Sequence, residues 1–145
     1  NISLPNLDRF SKFFRINGDE ELAAATQQAK NLSIKAPNLQ IQTDNLSGGN
    51  QQKVVIAKWL MSAPKVLIMD DPTRGIDVGA KFEIYKLMND LAEKGVSIIM
   101  ISSDLEEVLG MSDRIMVMCE GRSSKILNPE EANREYIMQL ATGIA

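Results

Sequence analysis

The sequence predicts an α/β protein whose mostly parallel sheet is flanked by helices. Three observations carry this reading. Apolar runs at Val66–Met69, Val96–Ile101 and Ile115–Met118 are short and continuous, the pattern of buried strands. Between them lie longer stretches with apolar residues at helical spacing, such as Ile84, Tyr85, Met88, Leu91 and Ala92. The first two runs end in Asp70-Asp71-Pro72 and Ser102-Ser103-Asp104, which puts acids at the carboxyl ends of strands, where such sheets bind ligands.

The elements follow in order. Residues 1–17 mix Leu7, Phe10, Phe13 and Phe14 with Arg9, Lys12 and Arg15, which predicts a short amphipathic helix ended at Asn17-Gly18. Asp19–Asn31 is a second helix, with Leu22, Ala25, Ala29 and Leu32 on one face. Pro37 closes it, and residues 38–45 form a polar loop. Ser47 is placed as the N-cap of a helix through Met61, stopped by Pro64. After the Val66–Met69 strand, Val78–Lys94 is helical and ends at Gly95. A short helix from Leu105 to Gly110 follows the second strand, and Arg122–Leu127 is a fourth strand. Asn128, Pro129 and Glu131 predict the start of a last helix whose buried stripe is Ala132, Tyr136, Ile137, Leu140 and Ala141. Trp59, Cys119, the eight methionines and most of the aromatic residues near the start are expected in the core.

Composition removes several chemistries. The 145 residues contain no histidine, which excludes a Ser-His-Asp triad and any His-ligated metal. One cysteine excludes an internal disulfide and a thiolate zinc site. No run approaches the roughly 18 apolar residues of a spanning helix, and no signal peptide opens the chain. A net charge of −3 without basic clusters argues against nucleic acid as the main partner. The chain opens at Asn1 without a methionine and is expected to be a piece of a longer protein.

Four segments carry candidate chemistry. Leu46-Ser47-Gly48-Gly49-Asn50-Gln51-Gln52 places two glycines after a capping serine at a helix start, where free amides and the helix dipole attract an anion. A capped helix with a glycine turn has the same sequence. Val66 to Thr73 delivers Asp70 to a position suited to Mg²⁺ and Asp71 to one suited to orienting or deprotonating a water; a solvated strand end with a turn-forming Asp-Pro also fits. Arg74-Gly75-Ile76-Asp77-Val78-Gly79-Ala80-Lys81 and Ser102-Ser103-Asp104, taken singly, are a polar loop and a strand end.

Together, in this order and spacing, the four resemble the nucleotide-binding subunit of ABC transporters. Leu46 to Gln52 resembles the signature motif, Val66 to Asp71 the Walker B strand, and Gly75-Ile76-Asp77 the D-loop. Ser102-Ser103-Asp104 falls where the family's switch histidine stands. The wording Leu-Ser-Gly-Gly-Asn-Gln-Gln-Lys-Val, the loop Thr-Arg-Gly-Ile-Asp-Val-Gly-Ala-Lys, and Leu-Gly-Met-Ser-Asp-Arg-Ile are most similar to carbohydrate importers of the ribose and galactoside type, in the latter part of the second of two cassettes. The resemblance is strong over residues 46–121.

The resemblance implies a partial P-loop NTPase cassette, with residues 1–45 a helical subdomain facing a membrane permease and 46–145 an ATPase core without its Walker A region. It implies ATP and Mg²⁺ as ligands. Partners would be a second cassette, permease subunits and a sugar-binding protein, at the cytoplasmic face of the membrane. Ser47, Gly48, Gly49 and Gln51 would contact ATP held by the partner cassette, Asp77 would meet that cassette, and Asp70 would hold Mg²⁺. Phe10, Phe13 and Phe14 could pack against the permease. Three departures stand out: no Gly-x-x-x-x-Gly-Lys-[Ser/Thr] loop is present, Asp71 replaces the family's catalytic Glu, and Ser103 replaces the switch histidine. A phospho-acceptor signalling domain is an alternative, but its acidic pair sits near the domain start, whereas 65 residues precede Val66 here. A non-catalytic nucleotide-sensing half, and the DNA-repair branch of ABC ATPases, are further alternatives.

Overall fold

The computed structural model describes residues 1–143. They fall into two compact units, one of Asn1–Ile99 and the other of the described residues from Met100 on.

The first unit opens with a 3₁₀ turn at Leu4–Asn6 and one turn of helix, α1 (Leu7–Phe10). The chain then reverses in an antiparallel hairpin, β1 (Ser11–Lys12) against β2 (Arg15–Ile16). This corrects the single helix expected over residues 1–17. Phe10 is buried, and its carbonyl accepts from the Asn17 N–H at 2.8 Å, a bond that closes the hairpin and is incompatible with a continuing helix. In α2 (Gly18–Asn31), Asn17 caps the first turn by accepting from the Glu20 N–H at 3.4 Å; three acids lie in the first turn and Lys30 in the last, both favourable to the helix dipole.

A loop and a 3₁₀ turn at Thr43–Asn45 lead into α3 (Gly48–Leu60). Val54, Ala57 and Met61 join Ile2, Phe10 and Leu32 in one core. Next come β3 (Val66–Asp70) and α4 (Val78–Glu93), and then β4 (Ser97–Ile101), whose last two residues belong to the second unit. β3 pairs with β4, and Ser97 N–H donates to the Lys65 carbonyl at 2.9 Å. β3 is not buried throughout, as the continuous apolar run implied: Leu67 and Met69 are buried, whereas Val66 and Ile68 are exposed. Alternate residues of a strand face opposite sides, and one side of β3 is uncovered.

The second unit holds α5 (Leu105–Met111), β5 (Ile115–Cys119), β6 (Arg122–Leu127) and α6 (Arg134–Thr142). β5 and β6 form an antiparallel hairpin around Glu120-Gly121, both with positive φ, as a two-residue loop of this class demands. Val117 faces Lys125 and Met118 faces Ser123, so Ser124 bulges. Ile115, Val117, Leu127, Ile137 and Leu140 form the core, with Leu105, Val108 and Leu109 packed against it. The last helix begins later than Asn128 suggests. Asn128 and Glu131 make only half of a capping box: Asn128 N–H donates to the Glu131 carboxylate at 3.1 Å, but Glu131 N–H donates to the Asn128 backbone carbonyl at 3.0 Å, not to its side chain. That pair closes one turn only. Asn133, accepting from Tyr136 N–H at 2.8 Å, is the cap of α6.

The α/β class stands. The core assignment needs correction: Phe13, Phe14, Trp59, Met116, Met118 and Met138 are exposed, while Met61, Met69 and Met88 are buried. Cys119 is partly buried. No helix among the described residues is long and apolar enough to cross a membrane.

Candidate functional site

Ser47 takes the N-cap position of α3 with extended backbone, yet its side chain makes no capping bond. Its hydroxyl accepts instead from Asn50 Nδ2 at 2.8 Å, while Asn50 Oδ1 accepts from the Lys35 N–H at 2.8 Å. Gln51 N–H donates to the Ser47 carbonyl, and Gln51 Nε2 to the Leu46 carbonyl, both at 2.9 Å. The first-turn amides of Gly48, Gly49 and Asn50 have no carbonyl partner within the helix. Ser47 and Gly48 are exposed and Gly49 is buried. An exposed hydroxyl beside such amides is an arrangement that accepts an anion.

The two glycines are required for space, since neither has positive φ. A Cβ on Gly49 would lie 2.6 Å from Ala80 Cβ; one on Gly48 would lie 3.3 Å from Ile76 Cγ2 and 3.7 Å from the Gly75 carbonyl. The signature turn is therefore seated on the Gly75–Asp77 loop and the first turn of α4. Asp77 fixes that seat by capping α4, accepting from Ala80 N–H at 2.9 Å. Two of the segments singled out in the sequence are thus one structural unit.

Asp70 ends β3 and is exposed. Asp71 follows with φ +43°, a left-handed conformation that Asp tolerates better than most residues. Its Oδ2 lies 3.5 Å from Arg74 Nη1, and its carbonyl accepts from Arg74 N–H at 3.1 Å. Pro72 and Thr73 beside it are buried. No group of three or more acidic or thiol ligands among the described residues could hold a metal unaided. Mg²⁺ characteristically takes one or two carboxylates and completes its shell with water and phosphate oxygens, so the exposed Asp70 with its neighbour Asp71 fits it.

Ser103 belongs to the second unit and is exposed. Its neighbours hold the strand end: Ser102 Oγ donates to Glu107 Oε2 and accepts from Asp104 N–H at 3.0 Å, and Asp104 caps α5 through the Glu106 and Glu107 N–H groups.

Sequence reasoning misses Lys53. Its side chain is 6% exposed, with Nζ 2.7 Å from Glu83 Oε2 on α4, and it donates to the Ser33 carbonyl at 3.3 Å. The hydrogen bond and charge of Lys53 hold the Glu83 carboxyl below its ordinary value, against a smaller effect of desolvation, and Lys35 at 3.9 Å adds to them. The signal was there: Lys53 stands four residues from Gly49 and from Ala57, on the buried stripe of α3, where a charge needs a partner.

Residues 3–74 match the ABC transporter family. Over 143 residues the chain is 62% identical to the xylose import ATP-binding protein XylG of Thermoanaerobacter pseudethanolicus, covering 99% of this chain and 28% of that protein. It is 59% identical over 145 residues to the ribose import ATP-binding protein RbsA of Clostridium perfringens, covering 99% and 29%. The chain thus spans under a third of the length of these relatives. Among solved structures, the cbiO1 component of an ABC transporter complex of Clostridium perfringens is 31% identical with a TM-score of 0.69, over 90% of this chain and 50% of that one. A dimeric bacterial ABC transporter cassette shares the fold with a TM-score of 0.72 at 24% identity, over 88% and 54%. Fold and motifs together define an ATP-binding cassette segment. The chain belongs to the ABC transporter family, alongside its sugar-import ATP-binding proteins.

Proposed function

We propose that this chain is part of the ATPase subunit of an ABC sugar importer, and that its signature turn acts on ATP held by a partner cassette. The observation that carries the reading is the seating of Gly48 and Gly49 on Ile76 and Ala80, which presents Ser47 and the first-turn amides from a fixed base. Donors held in place cost no reorganisation when charge develops on a phosphoryl group, and this supports a role in hydrolysis rather than in binding alone.

In this reading Ser47 Oγ donates to the γ-phosphate, and the Gly48 and Gly49 amides add two further donors. Gln51 braces the turn through its bond to the Leu46 carbonyl. Asp77 and its loop meet the opposite cassette. Asp70 would hold Mg²⁺. When bound, that ion neutralises phosphate charge. Asp71 orients the attacking water and accepts its proton. Its side chain is one methylene shorter than Glu, and a misplacement of about 1 Å can cost on the order of a hundredfold in rate. Ser103 can hydrogen-bond the γ-phosphate but cannot supply a cationic imidazole. The chain's own acids therefore serve a weaker site, and its main contribution is made in trans.

Residues 1–45 would be the helical subdomain that faces the permease, and 46–145 the core. The subunit would sit peripherally at the cytoplasmic face, with permease and sugar-binding protein as partners. The chain alone, without a phosphate-cradling Gly-Lys loop, would not turn over ATP.

Ser47→Arg in the full-length transporter tests this. ATPase activity should fall about a hundredfold while the thermal midpoint stays put. Unchanged turnover would sink the proposal.

A further inference from the structure

The β1–β2 hairpin contradicts its own local rules in two places. Its two loop residues are Phe13 and Phe14, with φ +49° and +62°. A two-residue loop with both φ values positive strongly favours Asn-Gly; a bulky residue there is strained. The single pair closing the loop is Lys12 opposite Arg15, two like charges facing each other across the ladder, which is also destabilising. Neither cost is offset by burial. Phe13 and Phe14 are 98% and 106% exposed, and Lys12, Arg15 and Ile16 are exposed as well.

Against one kind of surface the charge repulsion is neutralised and the backbone strain is offset by burial of the rings. From Arg9 to Ile16 the chain carries Arg9, Lys12 and Arg15 and no acid. An anionic phospholipid headgroup layer neutralises the Lys12–Arg15 pair. The boundary below it takes up two aromatic rings that water leaves bare, the division of labour seen in basic, aromatic interfacial segments. Strain retained at an exposed tip marks a functional position when the same residues satisfy a partner. From this geometry we infer that the Phe13-Phe14 tip, flanked by Lys12 and Arg15, is a lipid-contact point that touches an anionic membrane surface.

Two rings and three cations make a weak contact by membrane standards, since stable anchoring needs more than one such signal. The tip therefore acts as an orienting contact for a protein already held near the bilayer; this rests on the peripheral placement proposed above and not on the role given to the signature turn.

The test is a flotation assay of the full-length ATP-binding protein, purified without its permease, on vesicles of phosphatidylcholine with or without about a third phosphatidylglycerol. The comparison variant is Phe13→Asn/Phe14→Gly, which installs the residues the loop favours. The wild type should float at least about fivefold more with anionic than with neutral vesicles, and the variant should lose that difference while melting at the same or a higher temperature. Lys12→Ser/Arg15→Ser should lose it too. No preference for anionic vesicles in the wild type, or full retention by the Phe13→Asn/Phe14→Gly variant, overturns the inference. So does a tip that fails to bind vesicles but is required for binding detergent-solubilised permease, which would make it a protein contact.

Discussion

At the scale of single residues, Gly49 decides whether the signature turn can be built. The space for its missing Cβ is already filled by Ala80, at 2.6 Å, and both backbones belong to helices that cannot easily part. Gly49→Ala should therefore cost about 1–3 kcal/mol of stability, as overpacking does. Gly48→Ala, facing Ile76 Cγ2 at 3.3 Å, should cost well under half of that because an Ile methyl can shift. The check is chemical denaturation of both variants together with Gly49→Ala/Ala80→Gly. Recovery in the double variant identifies the clash; no recovery means that the glycine is needed for another reason. This residue also shows what a sequence can and cannot say. The Ser-Gly-Gly wording is legible as a helix start that attracts an anion or as a capped helix with a glycine turn, and neither reading says what the glycines make room for. For Gly49 the approaching body is Ala80, thirty-one positions along the chain, and no local pattern encodes that distance.

At the scale of elements, α3 is tied to its surroundings by polar contacts as well as apolar ones. Lys53 joins it to α4 through Glu83 and to the preceding loop through the Ser33 carbonyl, and Asn50 joins it to the same loop through Lys35. Because the Glu83 pKa is depressed in the folded state, its contribution is present above the ordinary Glu range and is lost as pH falls through the folded value. Glu83→Gln should lower the thermal midpoint by a few degrees at pH 7, equivalent to about 1 kcal/mol for a pair whose Glu side chain is half exposed. The gap between wild type and variant should close on acidification below the usual Glu value; a gap that stays constant to pH 3 would show that the carboxylate charge is irrelevant. Elements of this length and periodicity were legible in outline. α2, α3, α4 and β5 fall where the apolar pattern puts them, because their spacing is set by one face packing on a core. The errors came where tertiary contacts overrule local signals. Residues 11–16 fold back once Phe10 is buried and Asn17 bonds to its carbonyl, and α6 waits for Asn133 although the Glu131 side chain reaches back to the Asn128 N–H. Lys53 is hard to read from sequence because a lysine in a helix counts as solvent-facing until its place on the buried stripe is known.

At the scale of the whole molecule, the chain covers 28–29% of the sugar-import relatives it matches. The groups proposed to work in trans, Ser47, Gly48 and Gly49, follow the family wording and sit on a packed base. The groups that would work on the chain's own side depart from it: Asp71 is shorter than the family's Glu, and Ser103 cannot be charged. A protein arranged this way should be asymmetric, with one productive ATP site completed by this signature turn and one weak site carrying these acids. The asymmetry is measurable in the full-length transporter by comparing two substitutions. Ser47→Arg should lower turnover about a hundredfold, because its bulk replaces the Ser47 hydroxyl and keeps the phosphate away from the first-turn amides of the productive site. Asp71→Asn, at the weak site, should change turnover within about twofold, as expected for a group whose step does not limit the rate. Equal losses would mean that both sites hydrolyse ATP and that Asp71 is a working base despite its length. A large loss with Asp71→Asn alone would reverse the assignment, making this chain's own site the productive one and its signature turn the accessory.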